Sequence, residues 1–122
     1  MKITKFEDVE AWRTARELVN AIYKATRTFA EDPDLRRQTR RRDSSIMSNI
    51  AEGFDAGSDP EFRRFLRIAR RSGTELQSHF YIALDQKYVP QNAFQEVYVA
   101  TANVKRLIGG FLRYLTGKSP KT

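Results

Sequence analysis

From Phe62 to Ala83, apolar or small residues return at alternating steps of four and three: Phe62, Leu66, Ala69, Gly73, Leu76, Phe80 and Ala83. That spacing keeps one face of an α-helix apolar over six turns, and it leaves a strand no buried face. Two more segments carry the same kind of stripe. One runs Trp12, Ala15, Val19, Ile22, Thr26 and Phe29; the other runs Phe94, Val97, Thr101, Val104, Ile108, Phe111 and Leu115. Between the first and the longest stripe lies a weaker one, Leu35, Thr39, Arg42, Ile46, Asn49 and Ile50. A helix with one apolar stripe must bury it against other helices, so four such segments predict an all-α, antiparallel up-down-up-down four-helix bundle of left-handed twist.

Punctuation sets the predicted helices at about 8–29, 35–52, 59–86 and 91–116, in a single domain covering 1–122. Thr4 with Glu7, or Asp8, can cap the first helix. Pro33 ends that region and Asp34 can cap the next, while Gly53 suits a left-handed C-terminal position. Ser58-Asp59-Pro60-Glu61 joins a capping box to a first-turn proline and marks the third helix start. Gly73, inside that helix, implies close approach of a neighbouring helix. Tyr81, Ile82, Val99 and Tyr114 fall off the stripes and are candidates for a subunit interface. The tail after Gly117 is polar and is expected to fray.

The charge pattern is as informative as the apolar one. The chain carries 22 Lys and Arg against 15 Asp and Glu, a net charge of +7. Ten of those cations, all arginine, lie between Arg36 and Arg71. Basic surface releases counterions from polyanions, and arginine forks match phosphate geometry, so RNA or DNA is the favoured partner class. The candidate nucleic-acid-binding residues are Arg36, Arg37, Arg40 and Arg41 on the second helix, and Arg63, Arg64, Arg67, Arg70 and Arg71 on the third. Arg42 falls on the inward stripe, so it either snorkels from near a helix end or needs a partner such as Asp43 of another subunit. With Asn49 and Glu52 these two form the candidate interface or structural polar set. A salt bridge from Glu52 to Arg64 or Arg67 is expected to settle that carboxylate, which the helix dipole disfavours at a C-terminus.

Catalytic chemistry is poorly provided for. There is no Cys, hence no disulfide, thiol nucleophile or thiolate metal site. The single histidine, His79, has no second histidine to share a metal, and it reads as a packed, hydrogen-bonded residue at the margin of the apolar stripe. No glycine-rich phosphate loop is present, and Ser44, Ser45 and Ser48 have no nearby base. No catalytic residue, metal or cofactor is therefore assigned. The start of the chain lacks the apolar core of a signal peptide, and no apolar run reaches membrane-spanning length, so the expected location is the cytoplasm, without membrane association.

Gln38-Thr39-Arg40-Arg41 followed by Ser45-Ile46-Met47-Ser48-Asn49-Ile50-Ala51-Glu52-Gly53 resembles the bacterial four-helix-bundle family encoded in intervening sequences of 23S rRNA genes. Trp12 with Ala15, Ile22 to Thr26, Glu61-Phe62, and Phe65 to Ser72 with Glu75-Leu76 belong to the same resemblance, which spans roughly residues 6–115. It implies an antiparallel four-helix bundle and a basic homopentamer. Retroelement accessory variability proteins are relatives, and they bind nucleic acid and a reverse transcriptase. This chain departs from the family pattern at Arg42-Asp43, where two small apolar residues are usual, and at Thr39, Arg71 and Gly73. The function that residues and resemblance favour together is a non-enzymatic, oligomeric bundle binding nucleic-acid backbone. The alternative is a protein-interaction scaffold whose arginines make subunit or partner salt bridges.

Overall fold

The computed structural model describes residues 3–118, and among these the regular structure is entirely helical. Helix α1 spans Glu10–Ala25, α2 Pro33–Phe54, α3 Asp59–Asp85 and α4 Gln91–Lys118. Short 3-10 turns at Phe6–Asp8 and Thr26–Thr28 flank α1, so the regular helix is shorter than the 8–29 its periodicity predicts. The first of these turns is held by Asp8, whose carboxylate accepts from the Thr4 and Lys5 backbone N–H groups at 3.0 and 3.3 Å. Those bonds, Thr4 first, hold its pKa below the ordinary value.

Helix starts follow side-chain caps. Asp32, rather than Asp34, caps α2 by accepting from Leu35 N at 3.0 Å, which places Pro33 in the first turn where its missing N–H costs nothing. Ser58 accepts from Glu61 N at 3.3 Å and starts α3 as the sequence predicts, but the Glu61 carboxylate turns to Arg64 instead of completing a capping box. The far end of α3 is closed by Lys87, at φ 63°, with Lys87 N donating to Leu84 O and Tyr88 N to Ala83 O. These are the two bonds of a Schellman motif, formed here without glycine.

Each helix packs against its neighbours in the chain, and α4 returns to α1. Contacts run in opposite senses along adjacent helices. Ser45 meets Ser72 and Gly53 meets Phe62 across α2 and α3, while Gln77 meets Tyr98 and Arg63 meets Leu115 across α3 and α4. The α3 stripe is buried in full, and the α4 stripe is buried except for half-buried Phe111. On α1, Leu18 takes the core position and Val19 is only half-buried. Three core threonines satisfy themselves: Thr26, Thr39 and Thr101 each donate to the carbonyl four residues back at 2.7 Å. Phe29, Phe80 and Phe94 form a chain of rings at one end, and Phe54, Phe62 and Phe111 form another.

Two expectations about α2 are corrected. The helix does not stop at Gly53 in a left-handed conformation; it continues to Phe54, and the residue at positive φ is Gly57 in the following turn. Gly53 is a packing glycine. A Cβ there would lie 2.8 Å from both Phe62 Cδ1 and Phe65 Cβ, so its absence lets α3 close onto α2. The inward polar residue is also shifted by one position. Asp43, not Arg42, lies on the buried stripe with Leu35, Thr39, Ile46 and Ile50. At about 100° per residue Arg42 and Asp43 stand on opposite edges of the Leu35, Thr39, Ile46 and Ile50 stripe, each about 50° from its centre, so spacing alone does not choose between them.

Candidate functional site

The arginines of α2 and α3 do not form one surface. Arg40 is committed to the fold: its Nε donates to Thr26 Oγ1 at 2.8 Å and its Nη2 to Tyr23 O at 3.2 Å, with the guanidinium 4.3 Å over the Tyr23 ring. Arg37 is paired with Asp34 at 2.9 Å. Arg64 grips Glu61, with its closest contact at 3.1 Å, and stacks over Phe65 at 4.5 Å. That grip holds the Glu61 carboxyl below its ordinary pKa and raises the Arg64 guanidinium above its own. Arg63 donates to the Leu115 carbonyl at 3.4 Å.

Arg36, Arg41, Arg67, Arg70 and Arg71 have no ion pair or side-chain hydrogen bond among the described residues. Three of these five converge. Arg67, Arg70, Arg71 and Thr74 occupy one stripe of α3, because steps of three and four return to the same face. With Lys105 of α4 they line a cleft of about 390 Å³ that has no carboxylate in its wall. Arg70 leans towards α4, its Nη1 3.9 Å from where a Cβ on Gly109 would stand.

Lys105 and its support escape sequence reasoning, since nothing in α4 alone distinguishes Lys105 from a solvated lysine. The clue lies across the bundle in Gly73. A Cβ at Gly73 would meet Lys105 Cγ at 2.9 Å and Thr101 Cγ2 at 3.6 Å, so the predicted close approach is made by the Lys105 stem and the Thr101 side chain. The Lys105 ammonium then donates to Gln77 Oε1 at 3.0 Å, and Gln77 Nε2 is itself anchored on Tyr98 O at 3.2 Å. A neutral amide orients this ammonium without cancelling its charge.

The polar set on α2 is dispersed. Arg42 Nε lies 3.3 Å from Glu75 Oε2 in the same chain, an ion contact without hydrogen-bond alignment. His79 is half-buried nearby with Nδ1 enclosed and unpartnered, so the expected hydrogen bond to that atom is not made. Burial and the Arg42 charge push the His79 pKa below its ordinary value, against a smaller opposite pull from Glu75. Asn49 donates to Ser45 O at 2.8 Å and Ser45 Oγ at 2.9 Å, and Ser45 contacts Ser72 Oγ at 3.0 Å. Glu52 is exposed and, contrary to expectation, pairs with neither Arg64 nor Arg67; it borders a shallow hollow with Thr4 to Glu7.

Asp43 is the outlier. It is fully buried, neither carboxylate oxygen has a hydrogen-bond partner, and burial alone pushes its pKa up to about 8. Enclosed in the core of its own chain, it does not neutralise the arginine surface. At neutral pH it sits in the core chiefly as the uncharged acid.

Among the described residues no group of three His, Asp or Glu side chains is placed to hold a metal ion, and no helix is long and apolar enough to cross a membrane. The family model for the 23S rRNA-intervening sequence protein matches residues 7–110. The chain belongs to that family. A solved structure of similar fold is a protein of unknown function from the S23 ribosomal protein family of Bacteroides thetaiotaomicron VPI-5482. It shares 18% identity at a TM-score of 0.78, over 84% of this chain and 95% of that one. No curated protein matches. The family model ends at residue 110, so it takes in all of α1 to α3, every arginine on the α3 stripe, and Lys105.

Proposed function

We propose that this family member is a non-enzymatic, oligomeric helical bundle that binds the phosphate backbone of RNA or DNA as an accessory to other components. The observation that carries the reading is the set of cations left without anionic partners, with Arg67, Arg70, Arg71 and Lys105 gathered on one α3–α4 face. A guanidinium that has no carboxylate to satisfy it is free to exchange water for phosphate oxygens. Arg36 and Arg41 offer further positive charge on α2. Arg37, Arg40 and Arg64, already engaged, contribute less.

Exposed Tyr81, Ile82, Val99 and Tyr114 support assembly into a homo-oligomer, and the family resemblance makes that a ring of five. Chemistry at this surface needs an activated nucleophile, and the one histidine lies in the α2–α3 seam beside Arg42 and Glu75, not among the residues that line the cation cleft. The scaffold alternative draws on the same exposed apolar residues. It is weakened by the ion pairs of Arg37, Arg42 and Arg64, which all close within one chain and so need no second subunit.

Fluorescence anisotropy with a short RNA and a duplex DNA, run from 50 to 200 mM salt, tests the proposal. Affinity should fall steeply with salt, and the Arg67→Gln, Arg70→Gln, Arg71→Gln triple variant should bind at least tenfold more weakly. Light scattering on the same samples reads subunit number. No binding at low salt to either probe would overturn the proposal, and a lighter oligomer in the triple variant would favour the scaffold.

A further inference from the structure

We infer that the cleft lined by Arg67, Arg70, Arg71, Thr74 and Lys105 is a discrete site for a doubly charged phosphate group, of the kind carried by a strand terminus or a small phosphate compound. In its nucleic-acid form this rests on the function proposed above, and narrows it from a backbone track to a single end-binding pocket.

The free charge on α3 is focal. A backbone track needs unpaired cations spaced along its length, one for each successive phosphate. Along α3, however, Glu61 neutralises Arg64, and Arg63 keeps its charge but turns its fork to the Leu115 carbonyl on α4, so the arginines with no partner among the described residues begin at Arg67. From there to Thr74 the helix makes two turns, and Lys105 closes the group from α4. Four positive charges share about 390 Å³ of cleft with no carboxylate in its wall. Their mutual repulsion is relieved most by a ligand that concentrates negative charge in one place. A terminal phosphate carries close to two charges at neutral pH, whereas a bridging phosphodiester carries one.

The donors suit such a group. Three guanidinium forks can each give two N–H bonds to phosphate oxygens, and the Thr74 hydroxyl makes no other hydrogen bond among the described residues. Lys105 is aimed in advance, its stem laid over Gly73 and its ammonium tethered through Gln77 to Tyr98 O, so less side-chain freedom is lost when an anion arrives. The missing Cβ at Gly73 is what admits that stem.

The experiment uses the full chain with three probes: pyrophosphate, a 5′-phosphorylated RNA oligonucleotide, and its 5′-hydroxyl twin. Titrations are repeated on Arg67→Gln/Arg71→Gln and on Lys105→Gln. The two arginines are exposed, and circular dichroism verifies that each variant keeps its helices. The expected result is at least tenfold tighter binding of the phosphorylated strand, loss of that preference in both variants, and competition by pyrophosphate. Pyrophosphate binding that both variants abolish, with neither oligonucleotide bound, would uphold the cleft and overturn the nucleic-acid function. Equal binding of the two oligonucleotides with no pyrophosphate binding would overturn the cleft and leave the backbone reading standing. No binding by any probe would overturn both.

Discussion

Replacing Asp43 with asparagine should flatten the dependence of this protein's stability on pH. The carboxyl is fully buried, neither oxygen has a hydrogen-bond partner, and its pKa is raised from 3.8 to about 8. Between those two values the folded chain holds a proton that the unfolded chain has released. Folding then takes up one proton, so the bundle loses about 1.4 kcal/mol of stability for each unit of rising pH. Stability from this group is complete below pH 3.8, falls through the interval, and levels off above pH 8. From pH 5 to pH 7 the loss is about 3 kcal/mol, a large share of the roughly 5–15 kcal/mol that holds a domain of this kind together. Asparagine keeps the shape and the unmet polar group but cannot ionise. Urea denaturation followed by circular dichroism at pH 5, 6, 7, 8 and 9 should give a falling series for the native chain and a nearly level one for Asp43→Asn. Asp43→Asn should exceed the native chain by about 1.6 kcal/mol at pH 5, and the gap should widen to about 5–6 kcal/mol at pH 9. Parallel series would refute the assignment of a protonated acid to the core.

Three further outcomes follow from the packing. His79 titrates with the opposite sign to Asp43, since its depressed pKa lets the unfolded chain bind a proton first as pH falls below 6.5; His79→Gln should therefore steepen the decline measured from pH 5 to 7. Gly53→Ala should lower stability by about 1–3 kcal/mol in the same urea assay, because its Cβ meets Phe62 and Phe65 at 2.8 Å. Lys87→Gly should raise stability by about 0.5–1 kcal/mol, as glycine takes the left-handed φ of 63° without strain, and an unchanged or lower melting temperature would count against that.

How much of this was legible beforehand depended on the length of the apolar pattern. The α3 and α4 stripes run for six turns, so their phase is well determined, and thirteen of their fourteen named residues are buried, Phe111 alone being half-buried. Helix α2 has few apolar residues, and there a one-position slip exchanged Asp43 for Arg42; an arginine beside a buried aspartate makes the two phases nearly equal by hydropathy. The Gly53 assignment failed for a different reason. Glycine near a helix end is favoured both by left-handed backbone and by close packing, and only the rings of Phe62 and Phe65 in three dimensions decide between them. Composition pointed to an arginine surface, yet pairing partners such as Tyr23 for Arg40, or the Leu115 carbonyl for Arg63, lie 17 and 52 residues away and no local pattern announces them. Lys105 entered the cleft for the same reason, through a glycine on another helix.

Arg40 links the end of one helix to the middle of the next. Its fork occupies the Tyr23 carbonyl and the Thr26 hydroxyl at the point where α1 gives way to a tight turn, so a cation from α2 sits at the negative end of the α1 dipole. In hydrogen exchange, the last turn of α1 cannot open without releasing that guanidinium into solvent. The final turn of α1 and the Arg40 segment of α2 are thus expected to exchange as one cooperative unit, where an unlinked helix end would fray independently.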